Sequence, residues 1–268
     1  MIKAIAVDMD GTFLNSNNDY DRKAFLELFK KLKAKEVRFV VASGNQYAQI
    51  SSFFPEIWEE ITFVSENGGL VFEKGNLLIK KTIAKPIIQD TLTLLENTSY
   101  KVGIILCGVQ SAYILKSENT VLKKEAAKYY FALKEIDSFQ DLPDDEWVKI
   151  ALQLEDKNAF SIIDLMNEKN NSQLKAVYSG HGSVDLIVNE VNKGNTLKHL
   201  LNQWEIKPEQ FLAFGDSNND LEMLELAGYS YSMANASKQV NQVAKYQAPS
   251  NDENGVISTI NALFDKLG

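Results

Sequence analysis

The sequence predicts an α/β fold in which a parallel-sheet core is interrupted by an inserted α+β domain. Three patterns in the 268 residues point there. Four short apolar runs each end in a polar, glycine-containing segment, as buried parallel strands do at a sheet edge. Between Ile83 and Val188 the pattern changes to longer helices and alternating strands. From Lys193 a helix pattern and another apolar run resume. The expected division is therefore 1–82 with 189–268 as core and 83–188 as insertion, in keeping with a domain size of roughly 150 residues.

Each element has a local reason. Ile2 to Val7 is apolar and partly β-branched, and it stops at Asp8-Met9-Asp10-Gly11-Thr12. Asp21 to Lys35 sets Ala24, Phe25, Leu28, Phe29 and Leu32 at helical spacing, with Asp19 or Asp21 available as cap. Val37 to Ala42 ends at Ser43-Gly44, Phe63-Val64 at Ser65-Glu66-Asn67-Gly68, and Gln210 to Phe214 at Gly215-Asp216. In the insertion, strands are expected over Lys101–Cys107, Ala112–Leu115, Trp147–Leu154 and Val184–Val188. Lys193 opens a helix whose Leu197, Leu200, Leu201 and Trp204 share one face. The polar ends of the core strands converge at one edge, where open α/β sheets bind ligands.

Composition narrows the function. With 28 Lys and Arg against 36 Asp and Glu, the net charge of -8 argues against nonspecific nucleic-acid binding. Cys107 is the only cysteine, so neither an intrachain disulfide nor a thiolate zinc cluster can form, which fits a reducing compartment. The longest apolar stretch, Val102 to Val109, is far short of the roughly 18 residues of a membrane span. Ala4 to Val7 is too short for a secretory h-region. A cytoplasmic protein is expected.

Asp8 and Asp10 stand just past a strand, where the turning chain can aim one carboxylate and one backbone carbonyl at a cation, and magnesium favours such oxygen donors. A carboxylate nucleophile at Asp8 can form an aspartyl-phosphate, and Asp10 can give a proton to the leaving alkoxide. The competing reading of a lone Asp-x-Asp is an Asx turn. Ser43, with the Gly44 and Asn45 amides, can bind phosphate oxygens. Lys193, beside a helix N-terminus, can neutralise them. Asp216 can supply a second carboxylate to the metal, although helix capping competes for Asp216, Asn218 and Asn219.

Asp8-Met9-Asp10-Gly11-Thr12, Ser43, Lys193 and Gly215-Asp216-Ser217-Asn218-Asn219-Asp220 resemble the four ordered motifs of haloacid dehalogenase-superfamily phosphatases. The insertion is similar to the large α/β cap of the Cof-type group. Val41-Ala42-Ser43-Gly44-Asn45-Gln46-Tyr47 and Ser52-Phe53-Phe54-Pro55-Glu56 resemble its bacterial sugar-phosphatase branch, while many Cof-type relatives carry Arg where this chain has Asn45. The resemblance implies a Rossmann-like parallel-sheet core with an α+β cap that sets substrate specificity. It implies Asp8 as nucleophile and magnesium ligand, Asp10 as acid/base and ligand through its carbonyl, and Asp216 as third ligand. Ser43 and Lys193 fall at its phosphate-binding positions and Asn219 at one that helps hold the substrate phosphate, and Asp220 would orient Lys193 or a water on the metal.

The expected activity is magnesium-dependent hydrolysis of small phosphate monoesters, sugar phosphates first. A sugar phosphomutase and a phosphosugar-binding regulator without turnover are the alternatives. The partner is a small phosphorylated metabolite, with no nucleic acid and no membrane, and the oligomeric state stays open. His199 reads as packing or surface, and His181 lies in Ser179-Gly180-His181-Gly182, a turn of the insertion.

Overall fold

Ala4 to Val7 is buried at every position, so β1 (Ala4–Val7) needs a strand on each side to satisfy its backbone. This computed structural model, which describes residues 1–169, 173–180 and 182–267, supplies them in parallel. Ala4 stands opposite Phe211 on one side and Arg38 on the other. The chain continues through α1 (Arg22–Ala34), β2 (Arg38–Ala42), α2 (Tyr47–Ser52), β3 (Thr62–Ser65), β4 (Leu70–Glu73) and β5 (Asn76–Lys80). The inserted stretch contains α3 (Lys85–Glu96), β6 (Gly103–Gly108), β7 (Ala112–Leu115), α4 (Thr120–Tyr129), β8 (Leu133–Ile136), β9 (Trp147–Gln153), α5 (Ala159–Lys169), β10 (Leu174–Gly180) and β11 (Ser183–Val188). After the insertion the chain ends with α6 (Lys193–Gln203), β12 (Phe211–Gly215), α7 (Leu221–Leu226), β13 (Tyr229–Met233), α8 (Lys238–Val243), β14 (Tyr246–Ala248) and α9 (Gly255–Leu267).

The chain divides into two units, Met1–Asn76 with Asn192–Gly268, and Leu77–Val191. The first holds the sheet of order β14-β13-β12-β1-β2-β3-β4-β5, apart from Leu77–Lys80 of β5, which fall past the division. This sheet is parallel from β14 to β3, and β4 then turns back antiparallel on β3. Asp21 caps α1 by accepting the Ala24 N–H at 2.9 Å, and Phe25, Leu28, Phe29 and Leu32 face the core. Phe13, from the loop after β1, packs on Phe25 with ring centroids 4.9 Å apart and on Tyr20 at 4.8 Å. These contacts tie the Asp8–Leu14 loop to the hydrophobic core.

In the second unit the sheet order is β10-β11-β9-β6-β7-β8, antiparallel except for β7 beside β8. Ile88 and Leu92 of α3 and Ile162 and Met166 of α5 share its core with Leu106, Ile150, Leu152 and Leu186 from the strands. Lys149 of β9 and Asp185 of β11 form a buried ion pair at 3.6 Å, and Ser179 donates to Asp185 at 3.1 Å. Cys107 is buried and unbridged. His181 lies outside the described residues. Among the described residues, no helix is long and apolar enough to cross a membrane.

Candidate active site

Three neighbouring parallel strands, β12, β1 and β2, are followed directly by Asp216, Asp8 and Ser43, so their register brings sequence-distant side chains to one edge. The Asp8 N–H still donates to the Phe214 carbonyl at 3.1 Å, and the chain then folds back as Phe13 and Leu14 donate to the Met9 carbonyl at 3.0 and 2.9 Å. Gly11 makes this turn with a φ of +75°, and a Cβ there would lie 2.6 Å from Asp216 Oδ2. Only glycine meets both demands. Thr12 donates to Asp216 Oδ1 at 2.8 Å and Ser217 to its Oδ2 at 3.1 Å, which fixes that carboxylate beside the loop.

Lys193 is the first residue of α6, whose cap, Asn192, accepts the Asn195 N–H at 2.7 Å. Its side chain is wholly buried, and its ammonium reaches Asp8 Oδ1 at 2.6 Å and Asp220 Oδ1 at 2.7 Å. Asp220 uses its other oxygen to accept the Asp216 and Ser217 N–H groups at 3.0 and 3.1 Å. Helix-type capping in this segment therefore falls to Ser217 and Asp220, which leaves the Asp216 carboxylate to the site.

Burial alone would push the Lys193 ammonium down, but Asp220 and Asp8 outweigh it and hold it above its ordinary range. Burial raises the Asp8 carboxyl; Lys193 opposes that shift, while Asp220, Asp216 and Asp10 add to it. The Asp216 carboxyl is pushed up to about 6, first by burial and then by Asp220, against the hydrogen bonds from Thr12 and Ser217. Four carboxylates thus face one ammonium. Asp8, Asp216 and Asp220 hold carboxylate oxygens within 4.8 Å of one another. The donors are hard oxygens and the charge deficit is positive, so the residues fit a hard divalent cation. Asp220 is wholly buried, with one oxygen on the Lys193 ammonium and the other on two backbone N–H groups, whereas Asp216 is only part-buried and held by two hydroxyls that can rotate away, so Asp8 and Asp216 are the side chains suited to such an ion.

The other anticipated residues also lie in this unit. Ser43 is buried, and its Oγ accepts the Asn45 N–H at 3.1 Å, so its own O–H stays available to donate. Asn45 does something its sequence position did not announce: its Nδ2 donates to Asp10 Oδ2 at 2.6 Å. Asn219 donates to Asn67 Oδ1 at 3.0 Å. Asn67 was not among the expected site residues. It is buried with a φ of +57°, and its N–H donates to the Ser43 carbonyl at 3.0 Å, so it links the Ser43 loop to Asn219. Asn-Gly in sequence signals only a turn. Thr196 donates to the Gly68 carbonyl at 2.9 Å and so ties this turn to α6.

A parallel sheet that collects carboxylates, a buried ammonium and a hydroxyl at one carboxyl edge defines an α/β enzyme core with a charged site. The chain belongs to the haloacid dehalogenase-like hydrolases, whose family model matches residues 5–260. It is 42% identical to the 5-amino-6-(5-phospho-D-ribitylamino)uracil phosphatase YbjI of Escherichia coli K12 over 98% of this chain and 96% of the relative. It is 29% identical to the phosphatase YwpJ of Bacillus subtilis 168, covering 95% and 97% of the two chains. The crystal structure of SMU.1108c from Streptococcus mutans UA159 superposes with a TM-score of 0.94 at 37% identity, covering 99% of this chain and all of that one.

Proposed function

We propose that this protein is a magnesium-dependent, cytoplasmic phosphatase that hydrolyses small phosphate monoesters, sugar phosphates first among them, through an aspartyl-phosphate on Asp8. The observation that carries the reading is the buried Lys193 ammonium, held between Asp8 and Asp220 beside the Asp216 carboxylate. An Asp8 oxygen attacks phosphorus as the ester P–O bond breaks, and Asp10 gives its proton to the departing alkoxide. Asp10, now a carboxylate, takes a proton from water as that water attacks the phosphoryl group, which frees inorganic phosphate and restores Asp8. Lys193, the Ser43 hydroxyl, the Gly44 and Asn45 loop and Asn219 bind the phosphate oxygens, with Asp220 orienting Lys193. Asp8, Asp216 and the Asp10 carbonyl would hold magnesium, which when bound would supply positive charge to offset the negative charge of the phosphate.

These loops recognise phosphate, so substrate discrimination is assigned to the insertion, 83–188. A second substrate reading is the ribitylaminouracil phosphate named for the relative of 42% identity. Both readings share a phosphate monoester on a polyhydroxylated carbon chain.

The test is phosphate release from a broad phosphometabolite panel that includes both substrate types, with magnesium and with chelator. Magnesium-dependent, stoichiometric phosphate that disappears in Asp8→Asn is expected. Isomerised sugar phosphate without free phosphate would replace this reading by a mutase, and binding without turnover by a regulator.

A further inference from the structure

The Asn45 amide bridges two loops that sequence motifs treat separately. Its backbone is fixed at both ends: the N–H donates to Ser43 Oγ at 3.1 Å, and the carbonyl accepts the Glu66 N–H at 3.2 Å. Its side chain leaves that loop and donates to Asp10 Oδ2 at 2.6 Å. Asp10 is exposed, and an exposed carboxyl on a loop otherwise samples several rotamers.

We propose that Asn45 is the positioning residue of Asp10, setting the orientation of its carboxyl and leaving Oδ1 as the oxygen that passes the proton. An amide N–H donates and cannot accept, so a proton on Oδ2 would face another donor, whereas a proton on Oδ1 meets no such conflict. Asn45 thus acts on leaving-group protonation through Asp10 rather than by gripping phosphate with its side chain. The proposal rests on the reading of Asp10 as acid/base.

The consequence is selectivity by leaving group. A sugar alkoxide needs a well-placed proton in the transition state, and an activated phenolate needs it far less. With saturating magnesium, Asn45→Leu is expected to lose about tenfold to a hundredfold in kcat on a sugar phosphate, part of the 10²–10⁴ typical of general acid catalysis. The loss on an aryl phosphate is expected to be several-fold smaller, with KM shifting little on either substrate. Asn45→Gln, which keeps an amide donor, recovers part of the loss. In the Asp10→Asn background, Asn45→Leu adds nothing further, since the group it positions is already gone.

Equal losses on both substrates with a raised KM, or additive losses in the double variant, would overturn the proposal in favour of direct phosphate contact. If Asp10→Asn alone shows no gap between sugar and aryl phosphate, the acid/base reading of Asp10 falls first and takes this inference with it.

Discussion

Asp8 and Asp10 sit two residues apart in opposite surroundings: Asp8 is buried against Lys193, and Asp10 is exposed and held by Asn45. With the proposed roles of nucleophile for Asp8 and proton carrier for Asp10, the two fail at different steps. Asp8→Asn is expected to form no phosphoenzyme with any leaving group, whereas Asp10→Asn forms one from an aryl phosphate and hydrolyses it slowly. Rapid quenching, acid-stable and alkali-labile phosphate, and mass spectrometry of the modified peptide read both steps; label outside Asp8 would end the mechanism. Asp216 gives a test that needs no turnover. With its carboxyl raised to about 6, ionisation forces uncompensated negative charge into the folded site as pH rises through that value. A divalent cation relieves that charge, so magnesium should raise Tm more at about pH 8 than at about pH 5. Asp216→Asn should shrink the shift and raise the magnesium needed for half-maximal activity by about tenfold to a hundredfold. Wild-type titrations in that variant would remove Asp216 from the ligand set.

At the scale of the element, the loop after β1 is held from outside itself. Asn235 donates to the Gly11 carbonyl at 2.7 Å, Asn251 donates to the Leu14 carbonyl at 2.9 Å, and the Asn251 N–H donates to Asn235 Oδ1 at 3.1 Å. Gly11→Ala therefore meets two penalties: a left-handed backbone worth about 1–2 kcal/mol and a Cβ placed 2.6 Å from Asp216 Oδ2. The expected result is a modest fall in Tm with a disproportionate rise in the magnesium requirement; an unaltered requirement would show that the loop relaxes without moving Asp216. The Asp8–Thr12 turn, an aspartate cap before α1 and the start of α6 were legible because side-chain type, glycine and hydrophobic spacing all act locally there, while the choice of Asp21 over Asp19 as that cap was not. Asn67, Asn235 and Asn251 were not, since an Asn in a loop reads as a turn former until a distant strand brings it a partner.

For the whole molecule, the buried strands β1, β2 and β12 announced themselves as apolar runs, and with them the edge where the site lies. Strand order was harder to read. β14 is short and carries little hydrophobic signal, β5 is largely exposed although Leu77, Leu78 and Ile79 are apolar, so its pattern does not tell where it sits, and the antiparallel return of β4 depends on a turn through Asn67 and Gly68. The position of β1 also governs the order in which the molecule can be made. Ala4 cannot find Phe211 until the intervening chain exists, a wait of about 10–40 s at typical synthesis rates. Throughout that interval one edge of an apolar strand offers unpaired amides to any neighbour, the usual opening for aggregation. Residues 77–191, contiguous in sequence and with a core of their own, can close first. Chains truncated at Glu205 and released from the ribosome should protect that stretch from protease while leaving the first 76 residues open to cleavage or held by a chaperone. Protection of both at that length would mean that β1 finds a temporary partner.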